Sequence, residues 1–256
     1  MSEQQAVLTE RHERVMVITL NRPEQRNAIN HEVANGLAAA LDELDADASL
    51  AVGIVAGAGG FFCAGMDLKA FAAGEMPWVE GRGFAGITER ACDKPLIAAI
   101  EGFAVAGGLE VALACDLIVA AAGAKLGIPE VKRGLVAAGG GLLRLPRMLP
   151  RNVANELALT GETISAERAH ELGLVNRVCT PGGALAGALA LAATIADNGP
   201  LALAASKRIL RESLDWPQSE AFERQAPIWQ PVFASEDARE GATAFAQKRK
   251  PLWRGR

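Results

Sequence analysis

Cys63-Ala64-Gly65-Met66-Asp67 and Ala106-Gly107-Gly108-Leu109-Glu110 are the two stretches from which the rest of the chain is best read. Each is a short turn of small residues, and small residues at Ala64 and Gly107 let two backbone N–H groups approach one carbonyl oxygen. Ile128-Pro129-Glu130 adds a second carboxylate, twenty residues after Glu110. Paired amide donors stabilise charge developing on such an oxygen by roughly a hundred- to thousandfold per donor. Two carboxylates beside them can trade protons with the adjoining carbons. Each feature alone has a plainer explanation. Glycine in a strand-to-helix turn supplies unusual dihedrals, a first-turn glutamate is favoured by the helix dipole, and a loop glutamate can be an ion-pair partner. Their joint occurrence is what points to a site.

Outward from these turns the chain alternates between strand and helix patterns. Val15–Leu20 reads as a strand stopped by Asn21 and Pro23. Asn30 is placed to cap a helix whose Val33, Leu37, Leu41 and Leu44 share one face. Val52–Ala56, Leu96–Ile100 and Leu117–Ala120 read as buried strands, and Leu109–Cys115 as the helix behind the second turn. Gly74, Pro77, Gly81, Gly83 and Gly86 loosen the pattern between Ala70 and Asp93, which reads as a mobile loop or lid. Gly161 and Gly173 close two helices, with Ser165 opening the second. From Pro200 the chain reads as three helices, Leu201–Leu214, Glu220–Ala226 and Ser235–Arg249. Strands alternating with helices imply an α/β architecture.

At 256 residues and 50% hydrophobic composition, the chain can bury a large core. A net charge of −4 argues against general nucleic-acid affinity, so an anionic ligand must meet local positive charge. The four scattered cysteines (Cys63, Cys92, Cys115, Cys179) suit a reduced cytoplasm better than a disulfide framework or zinc site. Met1–Gln5 has neither the basic start nor the apolar core of a signal peptide, and no apolar run approaches membrane-spanning length. A cytoplasmic protein with no membrane partner is expected. His12, His31 and His170 are isolated, so neither a zinc hydrolase nor a histidine triad is expected. Gly57-Ala58-Gly59-Gly60 lacks the third glycine of a dinucleotide turn.

The order and spacing of these motifs resemble the enoyl-CoA hydratase/isomerase (crotonase) family. The resemblance runs from Asn21-Arg22-Pro23 and Asn27-Ala28-Ile29, through Phe62–Leu68 and Lys94–Asp116, to Phe245–Arg249. Gly83–Glu89, Ser235–Ala238 and the segment ending at Trp253–Arg256 look most similar to the carnitinyl-CoA dehydratase branch. The resemblance implies a ββα spiral core over residues 1–199 and a C-terminal helical oligomerisation region over 200–256, packing into trimers or hexamers. It implies reversible syn addition of water to a 2-enoyl-CoA through an enolate. Its oxyanion donors match Ala64 and Gly107. Its catalytic carboxylates match Glu110, which handles water, and Glu130, which handles the C2 proton. Coenzyme A contacts are implied at Arg22, Arg26, Ala28, Ala64, Gly65, Met66, Asp67, Leu68 and Gly107, with Phe245 and Lys248 reaching a neighbouring subunit's ligand. No metal or redox cofactor is implied, because CoA arrives as part of the substrate.

Alternatives on the same scaffold are carnitinyl-CoA dehydration and double-bond isomerisation. A different class is a non-catalytic acyl-CoA-binding protein, indifferent to loss of both glutamates. A peptidase on a related spiral would need a Ser/His pair, for which the turns offer no candidate. Trp78 and Phe84 serve equally as acyl-pocket lining or as surface packing. Two departures from common hydratases stand out: Ala106 in place of a first glycine, and Val136-Ala137-Ala138-Gly139-Gly140-Gly141 in place of a Pro-Gly turn after Glu130.

Overall fold

Two ordinary periodicities build the framework. A computed structural model describes residues 5–90 and 92–256. Most of the N-terminal segment examined for a leader, Met1–Gln4, lies outside the described residues, as does Ala91 of the glycine-rich segment. Strands β1 (Val7–His12) and β2 (Val15–Leu20) pair antiparallel, and helix α1 (His31–Ala46) follows. Asn30 caps α1 by accepting the Val33 N–H at 3.1 Å. Val33, Leu37, Leu41 and Leu44, spaced to share one helical face, are all buried. Next come β3 (Val52–Gly57), α2 (Leu68–Ala72), the two-residue strands β4 (Trp78–Val79) and β5 (Gly83–Phe84), β6 (Leu96–Ile100) and β7 (Phe103–Val105). Helix α3 (Gly107–Ala114), strands β8 (Leu117–Ala121) and β9 (Lys125–Gly127), and helices α4 (Gly141–Met148) and α5 (Arg151–Thr160) complete the middle of the chain. After them lie β10 (Ile164–Ser165), α6 (Ala166–Glu171), β11 (Arg177–Cys179) and α7 (Ala184–Ala196).

The main sheet has the order β1-β2-β3-β6-β8-β11, parallel from β2 onward, and a second sheet has the order β10-β9-β7. β6 belongs to the first sheet and β7 to the second, and β8 and β9 repeat that step. Cys63, on the way from β3 to α2, forms a parallel bridge to Ala104 of β7 and so stands in the same row. This is a ββα spiral, each turn contributing one residue row to each sheet. Along β2, Val15 and Val17 face α7, while Met16, Ile18 and Leu20 face the inner core, as alternation demands. α7 lies against the sheet on Ala184, Ala188, Ala192 and Ala196, a small-residue stripe that permits close approach.

The second half of the segment between Ala70 and Asp93 differs from the loop expected there, while residues 71–74, 76, 80 and 81 are exposed. Residues 83–88 are buried, Arg82 and Arg90 pair with Asp42 of α1, and Arg82 also donates to the Ala38 carbonyl at 3.2 Å. Gly83 and Gly86 mark tight packing: a Cβ on Gly86 would stand 2.5 Å from the Ala34 carbonyl oxygen. The C-terminal helices are α8 (Pro200–Glu212), α9 (Ala221–Phe233) and α10 (Glu236–Ala246). α9 runs through Pro227 and Pro231 rather than ending at Ala226, with Ile228 between them buried and α8 packed alongside, which outweighs the lost donors. Lys207 of α8 ties this region to the core through Asp116 at 2.7 Å and the Lys94 carbonyl at 2.8 Å. Among the described residues no single helix is long and apolar enough to cross a membrane.

Candidate active site

The spiral brings the two small-residue turns together by register. Cys63, Ala104 and Leu126 sit side by side in the second sheet. Three residues after each come Met66, Gly107 and Pro129, so equivalent points of successive turns line one edge. Contact between the first two turns is close enough to require glycine. A Cβ on Gly65 would stand 2.9 Å from the Gly107 nitrogen, and one on Gly108 2.3 Å from the Cys63 carbonyl oxygen.

The first amide donor expected from sequence needs correction. The Ala64 N–H already donates to the Arg26 carbonyl at 3.1 Å. Ile29 bridges Met66 in parallel fashion, its N–H donating to the Gly65 carbonyl and its carbonyl accepting the Asp67 N–H, both at 2.8 Å. In that pattern the N–H and C=O of the middle residue point away from the partner strand. The amide that faces outward beside Gly107 is therefore that of Met66, and both residues line the cavity. Gly107 is the first residue of α3, where N–H groups are unclaimed by the helix and the dipole favours negative charge. Ala106, which introduces it, has φ +52° and ψ −133°, a backbone conformation that suits glycine.

Glu110 and Glu130 open onto the same cavity of about 640 Å3. Glu110, in the first turn of α3, is only 3% exposed, unlike the solvent-facing first-turn glutamate that was the plainer reading. Its Oε1 accepts the Gly141 N–H at 2.9 Å. Burial raises its proton affinity, opposed by the Gly141 and Gly139 amides and by the charge of Arg144. Glu130 follows Pro129 in a 3-10 turn, Pro129–Arg133, and its Oε2 is buried with no hydrogen-bond partner among the described residues. Burial pushes its pKa up to about 7; its own backbone N–H opposes this, and the nearby charge of Glu110 adds to it. Two carboxylates of unequal proton affinity thus flank one space, the arrangement that separates an acid from a base.

Arg26, Ala64, Met66, Leu68 and Gly107 line the cavity, whereas Arg22, Ala28, Gly65 and Asp67 are not among its lining residues. Arg22 and Asp67 pair with each other at 3.0 Å. Phe245 and Lys248 lie at the end of α10, outside this cavity, with Phe245 87% exposed. Trp78 and Phe84, in edge contact at 5.0 Å, form part of the wall together with Phe71 and Met76. Sequence reasoning passed over Lys132 and Arg133 at the rim, although both directly follow Glu130. It also missed Arg144, whose guanidinium donates to the Thr88 carbonyl at 2.5 Å and to the Gly139 carbonyl at 3.4 Å. Arg144 thereby braces the Gly139–Gly141 turn. That turn holds Glu110 and has no room for side chains: a Cβ on Gly139 would lie 2.7 Å from Glu110 Oε2. Among the described residues no cluster of three or more His, Cys, Asp or Glu side chains has metal-holding geometry.

Outward-facing amides beside an acid–base pair of carboxylates define a site for chemistry next to a carbonyl whose oxygen gathers charge. The sequence profile of the Enoyl-CoA hydratase/isomerase family matches residues 10–256, and the chain belongs to that family. It is 43% identical to the enoyl-CoA hydratase EchA19 of Mycobacterium tuberculosis, over 97% of this chain and 96% of that one. It is likewise 43% identical to a carnitinyl-CoA dehydratase of Salmonella enteritidis, over 94% and 95% of the two chains. Among solved structures, an enoyl-CoA hydratase from Mycobacterium tuberculosis superposes with a TM-score of 0.97 at 59% identity, covering 99% of this chain and 100% of that one. A carnitinyl-CoA hydratase from Mycobacterium avium superposes with a TM-score of 0.80 at 44% identity, with the same coverage.

Proposed function

We propose that the protein is an enoyl-CoA hydratase that adds water reversibly, in the syn sense, to a 2-enoyl-CoA and forms a 3-hydroxyacyl-CoA. The observation that carries this reading is the shared cavity of Glu110 and Glu130 beside Gly107. The thioester oxygen is held by the Gly107 and Met66 amides. Glu110, the more easily ionised of the two, accepts a proton from water as its oxygen bonds to C3. Electrons move from the C2–C3 double bond onto the thioester oxygen, giving the enolate. Glu130, about half protonated at neutral pH, returns a proton to C2. Dehydration is the same path reversed. The reaction draws on no metal or redox cofactor, and coenzyme A enters as part of the substrate.

Arg26, Lys132 and Arg133 supply positive charge at the cavity for the phosphates of CoA. Exposed apolar side chains on α8 to α10, discussed below, support self-association into trimers or hexamers, with residues 1–199 as spiral core and 200–256 as oligomerisation region. Four free cysteines accord with a cytoplasmic location.

Mixing the protein with crotonyl-CoA should bleach the conjugated enoyl-thioester absorbance. Glu110→Gln and Glu130→Gln should each cut kcat by roughly 10²–10⁴-fold. Absence of turnover across short, medium, branched and carnitinyl acyl groups would remove this reading and leave a CoA-binding protein. Dehydration of carnitinyl-CoA is the second reading, favoured by the relatives bearing that name. The mass of the product separates these reactions from isomerisation, which adds no water.

A further inference from the structure

Arg22 and Asp67 are placed where a direct contact with CoA would be expected from sequence, yet neither is among the residues lining the cavity. What they touch is the backbone that carries the Met66 amide. One nitrogen of Arg22, Nη1, donates to the Ala28 carbonyl at 2.7 Å and to Asp67 Oδ2 at 3.0 Å. The other oxygen, Asp67 Oδ1, accepts the N–H groups of Lys69 at 3.1 Å and Ala70 at 3.2 Å, capping α2. Asp67 is therefore fixed from both sides, and Met66 lies between it and Gly65, each bonded to Ile29. Asn27 anchors the other end. It is fully buried with φ +56°; its Oδ1 accepts the Arg22 N–H at 3.0 Å, and its Nδ2 donates to the Ala58 and Phe61 carbonyls at 2.9 Å.

Arg22 and Asp67 are only 20% and 13% exposed, so little solvent competes for the pair. Burial works against the charge on Asp67, but the Ala70 amide, the Arg22 guanidinium and the Lys69 amide outweigh it and hold its pKa below the ordinary carboxylate range. The carboxylate is thus ionised whenever the site is in use.

We propose that Arg22 and Asp67 are positioning residues that aim the Met66 amide at the thioester oxygen, rather than contacts for coenzyme A. The inference rests on the hydratase reading and adds to it a residue pair outside the lining of the cavity. An oxyanion donor acts over a narrow range, roughly 2.7–3.1 Å from the charged oxygen, and a displacement of about 1 Å can cost a hundredfold in rate. Loosening the pair should therefore weaken stabilisation of the enolate while leaving CoA affinity in place.

A chromophoric acyl-CoA such as 4-aminocinnamoyl-CoA reads this directly, because its absorbance moves to the red when the bound thioester carbonyl is polarised. Asp67→Asn keeps a capping oxygen for α2 but removes the charge that meets Arg22. Its bound chromophore should lose a large part of the wild-type red shift, and kcat should fall by about tenfold or more with KM within about twofold of wild type. Arg22→Lys keeps the charge, but its ammonium must reach the Ala28 carbonyl and Asp67 Oδ2 from a differently shaped side chain, so the variant should show the same pattern in milder form. It also serves as the test if Asp67→Asn does not fold, as judged by its melting transition. A rise in KM with unchanged kcat and an unchanged red shift in these variants would overturn the inference and return the pair to CoA binding. A wild-type protein with neither red shift nor turnover would instead defeat the hydratase reading itself.

Discussion

The chain before residue 200 buries a large apolar core of its own, whereas the chain after it buries very little. In the spiral, Leu37, Leu41, Ile54, Phe62 and Ile97 have essentially no exposed surface. In the three C-terminal helices, Leu210, Phe222, Phe233 and Phe245 are 73%, 83%, 76% and 87% exposed. Among the described residues α8 buries none fully, α9 buries Ile228, and α10 buries Asp237 and Ala244. One region closes its own core and builds a cavity from it. The other is tied to it by polar contacts such as Lys207–Asp116 and leaves its large aromatic side chains outward. The proposed chemistry and the proposed assembly thus draw on different parts of one chain.

That division can be broken from either side. The largest expected effect is on assembly: Phe222→Asp combined with Phe245→Asp should remove about 2–4 kcal/mol per contact and shift the protein toward monomer in sedimentation velocity. An unchanged sedimentation coefficient would show that these faces are not the covered ones. From the other side, Gly139→Ala should lower kcat by about a hundredfold without changing the assembly, because the new methyl displaces Glu110 Oε2 from its seat. Activity within twofold of wild type would mean that the turn yields more easily than its packing implies.

Smaller is the effect of pH. With Glu130 as the proposed donor of the C2 proton, kcat for hydration should fall about tenfold per pH unit above its pKa of about 7. The same raised pKa sets the sign of its stability term: the native state holds this proton more tightly than the unfolded chain. Its favourable contribution is therefore full below the ordinary glutamate pKa of 4.5 and is lost as pH rises from there through about 7. Glu130→Gln should flatten that part of a melting-temperature profile; an equally sloped profile would assign the titration elsewhere. The smallest expected change is at Ala106, whose φ of +52° is strained for any side chain. Ala106→Gly relieves that strain but frees the unfolded chain, and should alter stability by no more than about 1 kcal/mol in denaturant titrations.

Much of the framework was legible because it depends on local spacing. Asn30 announces α1, and the run Leu96–Ile100 is a strand by composition alone. Register is another matter. Nothing in Cys63, Ala104 and Leu126 as letters says that they become neighbours, so the small-residue signal located the first turn but not which of its amides turns outward. Ala64 looked like the donor because it is small; the Ile29 bridge, a tertiary fact, gives that orientation to Met66. Glu110 and Glu130 could be named together through family resemblance, yet their unequal proton affinities depend on burial and on the Gly139–Gly141 turn. The prolines of α9 misled in the opposite direction, since a local rule against continuing the helix was overridden by packing against α8 and the burial of Ile228.

Those prolines also shape the hydrogen bonding of α9. Pro227 and Pro231 stand one turn apart and neither has an N–H, so the Glu223 and Pro227 carbonyls lose their helical partners on the same side. α9 therefore presents two carbonyls without helical donors on one side, between the turn bearing Phe222 and the turn bearing Phe233. Deuterium uptake should enter the helix first at its exposed ends, while the amide of the buried Ile228 exchanges last.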